Sequence, residues 1–246
     1  MDQTISASST LSVKRPRNGV RSRSTALLAC GVAAGPLYLA IGLVEAFTRP
    51  GFDIRRHDLS LLSNGSLGWV QIGNFLLTGA LVILGSMGMR QALRPGRGRT
   101  WGPILVGIYG VGLIGAGFFA ADPAYGFPPG TPADAHAVSW HGLMHIVTGA
   151  VGFLSLIAAC FVFARRFASM QRRGLAAYSV ATGVLFLAGF VGIASGSGNG
   201  WTILGFWIAL VVAWAWICVM AARLISELRR GSVAADPTSM AEEVAV

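Results

Sequence analysis

The side chains best suited to chemistry in this sequence are its four histidines, which fall in or beside two polar stretches. They are His57, His136, His141 and His145. His141 and His145 are four residues apart, so on a helix they would lie on one face, about 6 Å apart along the axis. Two neutral imidazoles in that arrangement can share a metal ion with a carboxylate ligand. Asp122 and Glu45 are the candidates for that carboxylate.

The histidine pair also has a simpler interpretation. Histidines at a helix end can bond water, backbone or a carboxylate without any metal, and the glutamate of the zinc-protease signature is missing here. We therefore assign no metal and predict no cofactor. Zinc or another divalent ion, held by Asp122, His141 and His145, is kept as the alternative. No phosphate-binding loop, dinucleotide fingerprint, nucleophile elbow or CxxC pair occurs in the sequence, so no motif assigns a reaction.

Asp122 is the carboxylate whose position most requires a partner. It follows an apolar segment that would run outward as a helix, and a carboxylate at the negative end of a helix is unfavourable unless it is paired. Arg55, Arg56 or a histidine could supply the donor. Alternatively, Asp122 and Pro123 could cap the first turn of the following loop.

We predict that Asp122 and His145 lie close together, within about 10 Å, with Glu45 or His141 nearby. A carboxylate at a negative helix end and an imidazole in a dry setting both need a hydrogen-bond partner. Glu45 lies near the outer end of the first apolar segment. It would face the bundle if it lies one turn below the interface, and water if it lies higher. Both positions remain open.

The stretch HDLSLLSNGS precedes the second apolar segment. Its Asp58 and Ser60 either cap a short interfacial helix or belong to a polar loop that folds over the mouth of the bundle. Asn74, inside the second segment, is expected to bond another helix rather than a substrate. The candidate polar site on the outer face comprises eight residues, namely Glu45, His57, Asp58, Ser60, Asn74, Asp122, His141 and His145.

Six apolar segments must position these residues. The chain is 54% hydrophobic and only 12% charged, whereas a soluble domain carries about 25% charged residues. Each segment has the roughly 20 residues that cross the hydrocarbon core, and none has the apolar–polar alternation of a membrane strand. We predict an all-α, polytopic transmembrane bundle of six helices, at about residues 25–47, 68–89, 101–121, 141–164, 174–195 and 201–224.

The basic residues predict the orientation of this bundle. Sixteen lysines and arginines flank one side of the predicted spans, and three, Arg49, Arg55 and Arg56, flank the other. Because basic loops stay in the cytoplasm, we expect both termini there. Residues 1–24 would form a disordered basic tail and residues 225–246 a second cytoplasmic tail. Abundant arginine, alanine and glycine are typical of a GC-rich bacterium, which indicates the bacterial cytoplasmic (cell) membrane.

The net charge of +9 bears on the partners. The basic residues lie between apolar runs and form no face of their own, so they favour the lipid bilayer and its anionic lipids over nucleic acid. No feature identifies a protein partner. Cys30, Cys160 and Cys218 all lie within apolar runs, where we expect them to pack as small hydrophobes.

Glycines predict which helices pack closely. Six lie in the third segment, at Gly102, Gly107, Gly110, Gly112, Gly115 and Gly117, and the fifth is also glycine-rich. Small residues let helix backbones approach each other in lipid. We therefore expect helices three and five inside the bundle and the sixth, rich in bulky residues, at its periphery.

Three stretches of the sequence carry a family resemblance. They read GFDIRRHDLSLLSNGSLGWVQIGNFLLTGAL, FFAADPAYGFPPGTP and SWHGLMHIVTGAVGF. The chain, over about residues 26–225, resembles the domain-of-unknown-function 998 family of bacterial and archaeal multi-pass membrane proteins. The resemblance rests on Leu59, Ser60, Asn74, Asp122 and His145. It implies the membrane topology and the outer-face residues, but no reaction.

A more distant similarity is to membrane hydrolases that hold zinc with histidines and an aspartate near a serine. Ser60, Asp122, His141 and His145 would be the matching residue types. The expected function is therefore an integral membrane protein with a small polar site at its outer face, which binds a lipid headgroup, a small solute or a partner protein. The alternative is a metal-dependent hydrolase that acts on lipid at the outer leaflet.

Overall fold

The computed structural model describes residues 18–135, 137–195 and 199–233. These residues form six long α-helices and one short 3₁₀ helix, Leu59–Ser63. The long helices are α1 (Asn18–Thr48), α2 (Gly68–Ala92), α3 (Trp101–Phe118), α4 (Trp140–Ser169), α5 (Arg173–Ala194) and α6 (Gly200–Val233). All six are long and apolar enough to cross a membrane. The predicted all-α bundle of six membrane-spanning helices is confirmed.

The ends of the helices differ from the prediction. α1 begins at Asn18 and α6 continues to Val233. Residues 18–24 are therefore helical and not disordered, and residues 225–233 of the predicted C-terminal tail are helical too. Helical hydrogen bonds persist after a helix leaves the hydrocarbon core, whereas hydropathy reports only the apolar part. α3 ends earlier than expected, because Phe119 adopts an extended conformation. The rest of the two predicted tails, residues 1–17 and 234–246, lies outside the described residues.

The helices form a ring in chain order. Each helix packs against the next, and α6 also packs against α1, which closes the ring. Successive helices run in opposite directions, so the bundle has two different ends. We call the end with residues 49–67, 119–135, 137–139, 195 and 199 the long-loop face, and the end with residues 93–100 and 170–172 the short-loop face.

The predicted places of helices five and six are wrong. Half of the α6 span is buried inside the protein, against 28% of the α5 span. The indole rings of Trp207, Trp214 and Trp216 point into the ring of helices and are buried. Glycines on α5 mark single points of close approach, such as Gly189 against Ala209 on α6. A glycine count therefore reports local contact and not the burial of a whole helix.

Helix three is close-packed on both sides, as its glycines predicted. A Cβ atom added to Gly110 would lie 2.8 Å from the carbonyl oxygen of Gly79 on α2. One added to Gly112 would lie 2.8 Å from the Cα atom of Gly152 on α4. Because these neighbours are backbone atoms, no rotamer change could relieve the overlap. The backbones of α2, α3 and α4 therefore approach as closely as glycine permits.

A proline in α1 explains one contact of a cysteine. Pro36 has no N–H group, so the carbonyl of Val32 loses its helical donor. The thiol of Cys218 on α6 lies 3.3 Å from that oxygen and donates to it. Cys218 therefore satisfies a backbone group at the interface of α1 and α6, in addition to packing there.

Candidate functional site

Arg49 holds the first loop of the long-loop face against α1. Its Nη1 donates to Glu45 Oε1 over 3.1 Å and to the carbonyl of Leu62 over 3.0 Å. Its Nη2 donates to the carbonyl of Asn64. The Glu45 and Arg49 side chains are only 5% and 7% exposed. Of the two positions left open for Glu45, the structure has the buried one, with Arg49 as its ion-pair partner.

His57 joins the first loop to the second. Its Nδ1 accepts a hydrogen bond from the backbone N–H of Asp53, so the ring proton is on Nε2, which donates to the carbonyl of Tyr125. Phe127 of the second loop is buried against Phe52 and His57, and the Arg49 guanidinium lies 5.3 Å from its ring centre. Both nitrogens of His57 are therefore occupied in a contact that packs one loop on the other.

The stretch that contains Asp58 and Ser60 forms a short capped helix, and this helix lies over the end of the bundle. Asp58 caps the 3₁₀ helix, because its Oδ1 accepts from the N–H of Ser60 over 3.1 Å and from the Ser60 hydroxyl over 2.5 Å. The buried side chains of Leu59, Leu61 and Leu62 hold this helix on the bundle. The 3₁₀ helix is thus a capped element that covers the end of the bundle.

Asn74 bonds another helix, as the sequence predicted. Its Nδ2 donates to the carbonyl of Tyr38 on α1 over 3.1 Å, and also to Gln71 Oε1 on its own helix. Both Asn74 and Gln71 are buried. The contact ties α2 to α1 within the apolar part of the bundle.

Asp122 finds its donor at the beginning of α4. Ser139 is the N-cap of that helix, and its backbone N–H and hydroxyl donate to the two carboxylate oxygens over 2.7 and 2.6 Å. The carboxylate sits so close to Gly142 that a Cβ atom there would overlap it. The expectation that Asp122 needs a donor was right, but the donor is neither an arginine nor a histidine. The positive end of the α4 dipole also favours the carboxylate.

Asp122→Asn is expected to lower the free energy of unfolding by about 0.5–1.5 kcal/mol, the net contribution of a typical hydrogen bond, because the contact between Asp122 and Ser139 is exposed. Asp134→Asn is the matched control, because Asp134 is exposed on the same loop. Thermal unfolding in mild detergent would compare the two variants, and metal content would be measured on the same samples. Equal losses would contradict a structural role for the contact between Asp122 and Ser139.

His145 binds the end of α3. Its Nδ1 lies 2.7 Å from the carbonyl of Phe119 and 3.2 Å from that of Ala116. Both carbonyls are acceptors, so Nδ1 carries a proton, and in the neutral ring Nε2 is left with its lone pair. Among the described residues, no hydrogen bond joins His145 to Asp122. The Asp122 carboxylate instead lies against Gly142, which precedes His145 on α4 by about one helical turn.

A cavity of about 390 Å³ lies beneath the 3₁₀ helix. All six long helices contribute to its walls. Asp58, Ser60 and His145 line it near the long-loop face, and Tyr38 and Tyr109 contribute two phenol groups. The rest of the lining is largely apolar and includes Phe75, Leu113, Ile146, Phe153, Phe190 and Phe206. Three of the eight sequence-predicted site residues therefore line one cavity.

A family model described as protein of unknown function (DUF998) matches residues 32–223. The chain belongs to the DUF998 family. No curated protein and no solved structure matches the chain. The five residues that carried the resemblance in the sequence all lie within the matched range of this DUF998 protein.

The side chains of His141 and His145 in this DUF998 protein have separate partners. His141 is exposed and lies against Trp140, with ring centres 3.7 Å apart and ring planes tilted by 43°, whereas His145 points to α3. Over residues 18–135, 137–195 and 199–233, no three His, Cys, Asp or Glu side chains are grouped as metal ligands. His136 lies outside these residues, so zinc or another divalent ion stays the alternative that the sequence left open.

Sequence reasoning missed most of the cavity of this DUF998 protein. Tyr38, Tyr109, Phe153 and Gly149 line it, but each is an ordinary residue of an apolar helix. Only the structure shows that Gly149 borders open space, because a Cβ atom added there would meet no atom within 4 Å. A glycine in a helix thus marks open space here and backbone contact at Gly112, and the sequence does not distinguish the two.

Proposed function

We propose that this DUF998 protein binds an amphiphile with one hydrocarbon chain, which lies in the cavity with its polar head near Asp58, Ser60 and His145. The supporting observation is the division of the cavity lining: polar groups from the 3₁₀ helix and α4 near the long-loop face, and mainly apolar and aromatic groups elsewhere. The volume of about 390 Å³ lies at the small end of the range for ligand sites, which favours one chain.

The energetics follow from the membrane environment. A chain that leaves the bilayer for the cavity gains little from the hydrophobic effect, because lipid tails are as apolar as the cavity wall. It gains van der Waals contact with a wall that otherwise lacks neighbouring atoms. The polar head therefore supplies most of the selectivity, through hydrogen bonds that are strong in a poorly hydrated site.

Access from the bilayer is supported by one residue on α4. Ile146 lines the cavity and is 56% exposed, so the cavity reaches the outside of the ring of helices beside it. Leu143 and Val147 are also exposed on this side of α4, which suits contact with lipid tails. We expect the amphiphile to enter sideways from the bilayer, past Ile146.

Gly149→Phe is expected to abolish binding, because the aromatic ring would occupy the cavity without displacing the backbone. Gly73→Phe is the matched control, since an added Cβ atom there also meets no neighbour but Gly73 lies away from the cavity. Native mass spectrometry of protein purified in mild detergent would count bound amphiphiles. Wild-type occupancy in Gly149→Phe would contradict the proposal.

We further propose that the long-loop face lies outside the cytoplasmic membrane. Three of the chain's 19 lysines and arginines belong to it, and Arg49 is buried in its ion pair, so only Arg55 and Arg56 are exposed there. Reporter fusions after Arg97 and after Gly231 are expected to report cytoplasm, and one after Pro129 the outside. An outside signal at Gly231 would contradict this orientation.

The short-loop face has a second cleft that suits anionic lipids. Arg172, Arg223 and Arg230 line it together with Glu227, which pairs with Arg172. Three arginines against one carboxylate leave a positive cleft, which favours lipid phosphates at a cytoplasmic surface. We propose this cleft as a contact for anionic lipid headgroups.

A further inference from the structure

The polar end of the cavity is rich in hydrogen-bond acceptors. Both hydrogen bonds that Asp58 accepts come from Ser60 and end on Oδ1, and no described residue donates to Oδ2. The Nδ1 proton of His145 is directed at two carbonyls, so in the neutral ring Nε2 accepts. The Ser60 hydroxyl gives its proton to Asp58 and can also accept. The Tyr38 phenol also lines the cavity and is a donor, but Asp58, Ser60 and His145 together offer more acceptors than one hydroxyl can satisfy. A ligand head that supplies several donors therefore fits this end best.

The same end of the cavity carries negative charge. Asp58 is the charged side chain in the lining, and no lysine or arginine of the described residues lines the cavity. Arg49 is committed to Glu45 and two carbonyls, and Arg55 and Arg56 are exposed in the loop. A phosphate or carboxylate head would meet the Asp58 carboxylate without a compensating cation, at a site where charges are screened less than in water.

We infer that the ligand is a long-chain primary amine whose ammonium group donates to Asp58 and His145. This inference rests on the proposed function, since it names the head of the same amphiphile. An ammonium has three donors and no acceptor, whereas a hydroxyl has one donor. Only the ammonium both satisfies several acceptors and neutralises the carboxylate. Hydrogen bonds between charged partners are also about twice as strong as neutral ones.

Three probes with the same chain and different heads test the inference on the wild-type protein. Dodecylamine, dodecanol and dodecanoate would be titrated in mild detergent, and binding to Gly149→Phe would be subtracted as background. The amine is expected to bind roughly tenfold tighter than the alcohol, in line with one charge-assisted hydrogen bond, and the carboxylate weakest.

Asp58→Asn provides the second measurement. It keeps an oxygen that can accept from Ser60 but removes the charge, so the affinity for dodecylamine should fall roughly tenfold while that for dodecanol changes little. Asp53→Asn is the matched control, because Asp53 lies in the same loop and does not line the cavity. If Asp58→Asn does not fold, the ranking of the three probes on the wild type still decides.

The outcomes separate the inference from the proposed function. If all three probes bind alike and Gly149→Phe removes them, the amphiphile site stands and the amine selectivity is wrong. Parity of alcohol and amine, or tightest binding of the carboxylate, would also overturn the selectivity. If no probe binds above the Gly149→Phe background, the proposed function fails, and the inference fails with it.

Discussion

Arg49→Ala is expected to lower the free energy of unfolding by about 3–5 kcal/mol, the range for removing one partner of a buried ion pair. The variant would leave the Glu45 carboxylate buried without its cation, and Glu45 Oε2 already has no hydrogen-bond partner among the described residues. It would also free the carbonyls of Leu62 and Asn64, which Arg49 binds at the end of the 3₁₀ helix.

Unfolding in mild detergent would measure this loss. Arg55→Ala is the matched control, because Arg55 is exposed on the same loop, and its effect should stay within about 0.5 kcal/mol. The double variant Glu45→Met/Arg49→Met should recover the part of the loss that comes from the unpaired charge, since buried pairs replaced by apolar residues are often neutral. A loss of under about 1 kcal/mol for Arg49→Ala would show that the ion pair does not anchor the loop.

The six helices were predictable because the thickness of the bilayer sets the length of each apolar segment. A span needs about 20 apolar residues, and the six segments meet this length with few charges. The helix ends were less predictable, since α1 and α6 continue beyond the apolar segments that hydropathy detects. The closed ring of neighbours also carries no sequence signal, because each apolar helix could face several partners.

Polar residues of the long-loop face were predictable as a group, but their pairing was not. Charged groups near apolar spans are costly and must find partners, so Glu45 and Asp122 were recognisable from the sequence. Their partners, Arg49 and Ser139, depend on which helix ends meet in space. Hydropathy and helix periodicity contain no information on that question.

The cavity lies at the limit of what the sequence can predict. Its polar end was found, because Asp58, Ser60 and His145 stand out in an apolar chain. Its apolar walls were not, since a phenylalanine that lines a cavity and one that packs against a neighbour have the same sequence pattern. Whether a buried space remains between helices depends on the complementarity of whole surfaces, which only the assembled bundle determines.

Gly112→Leu is expected to cost about 3 kcal/mol or more in the free energy of unfolding, at or beyond the upper end of the range for overpacked cores. A Cβ atom at this position would lie 2.8 Å from both the Cα atom of Gly152 and the carbonyl oxygen of Thr148. Both are backbone atoms of α4, so the two helices must move apart. Ala209, a residue of the supposedly peripheral sixth helix, cannot serve as a lipid-facing control because it is buried.

Gly73→Leu is the better control for this variant, because an added Cβ atom at Gly73 meets no atom within 4 Å. Leucine has the higher helix propensity, so Gly73→Leu should be neutral or stabilising by up to about 1 kcal/mol. Thermal unfolding in mild detergent would compare the two variants. Gly112 and Gly152 also line the cavity, so separating α3 from α4 should weaken amphiphile binding in Gly112→Leu and not in Gly73→Leu. Equal stability of the two variants would contradict close packing of α3 on α4, and with it the shape of the cavity that the proposed ligand requires.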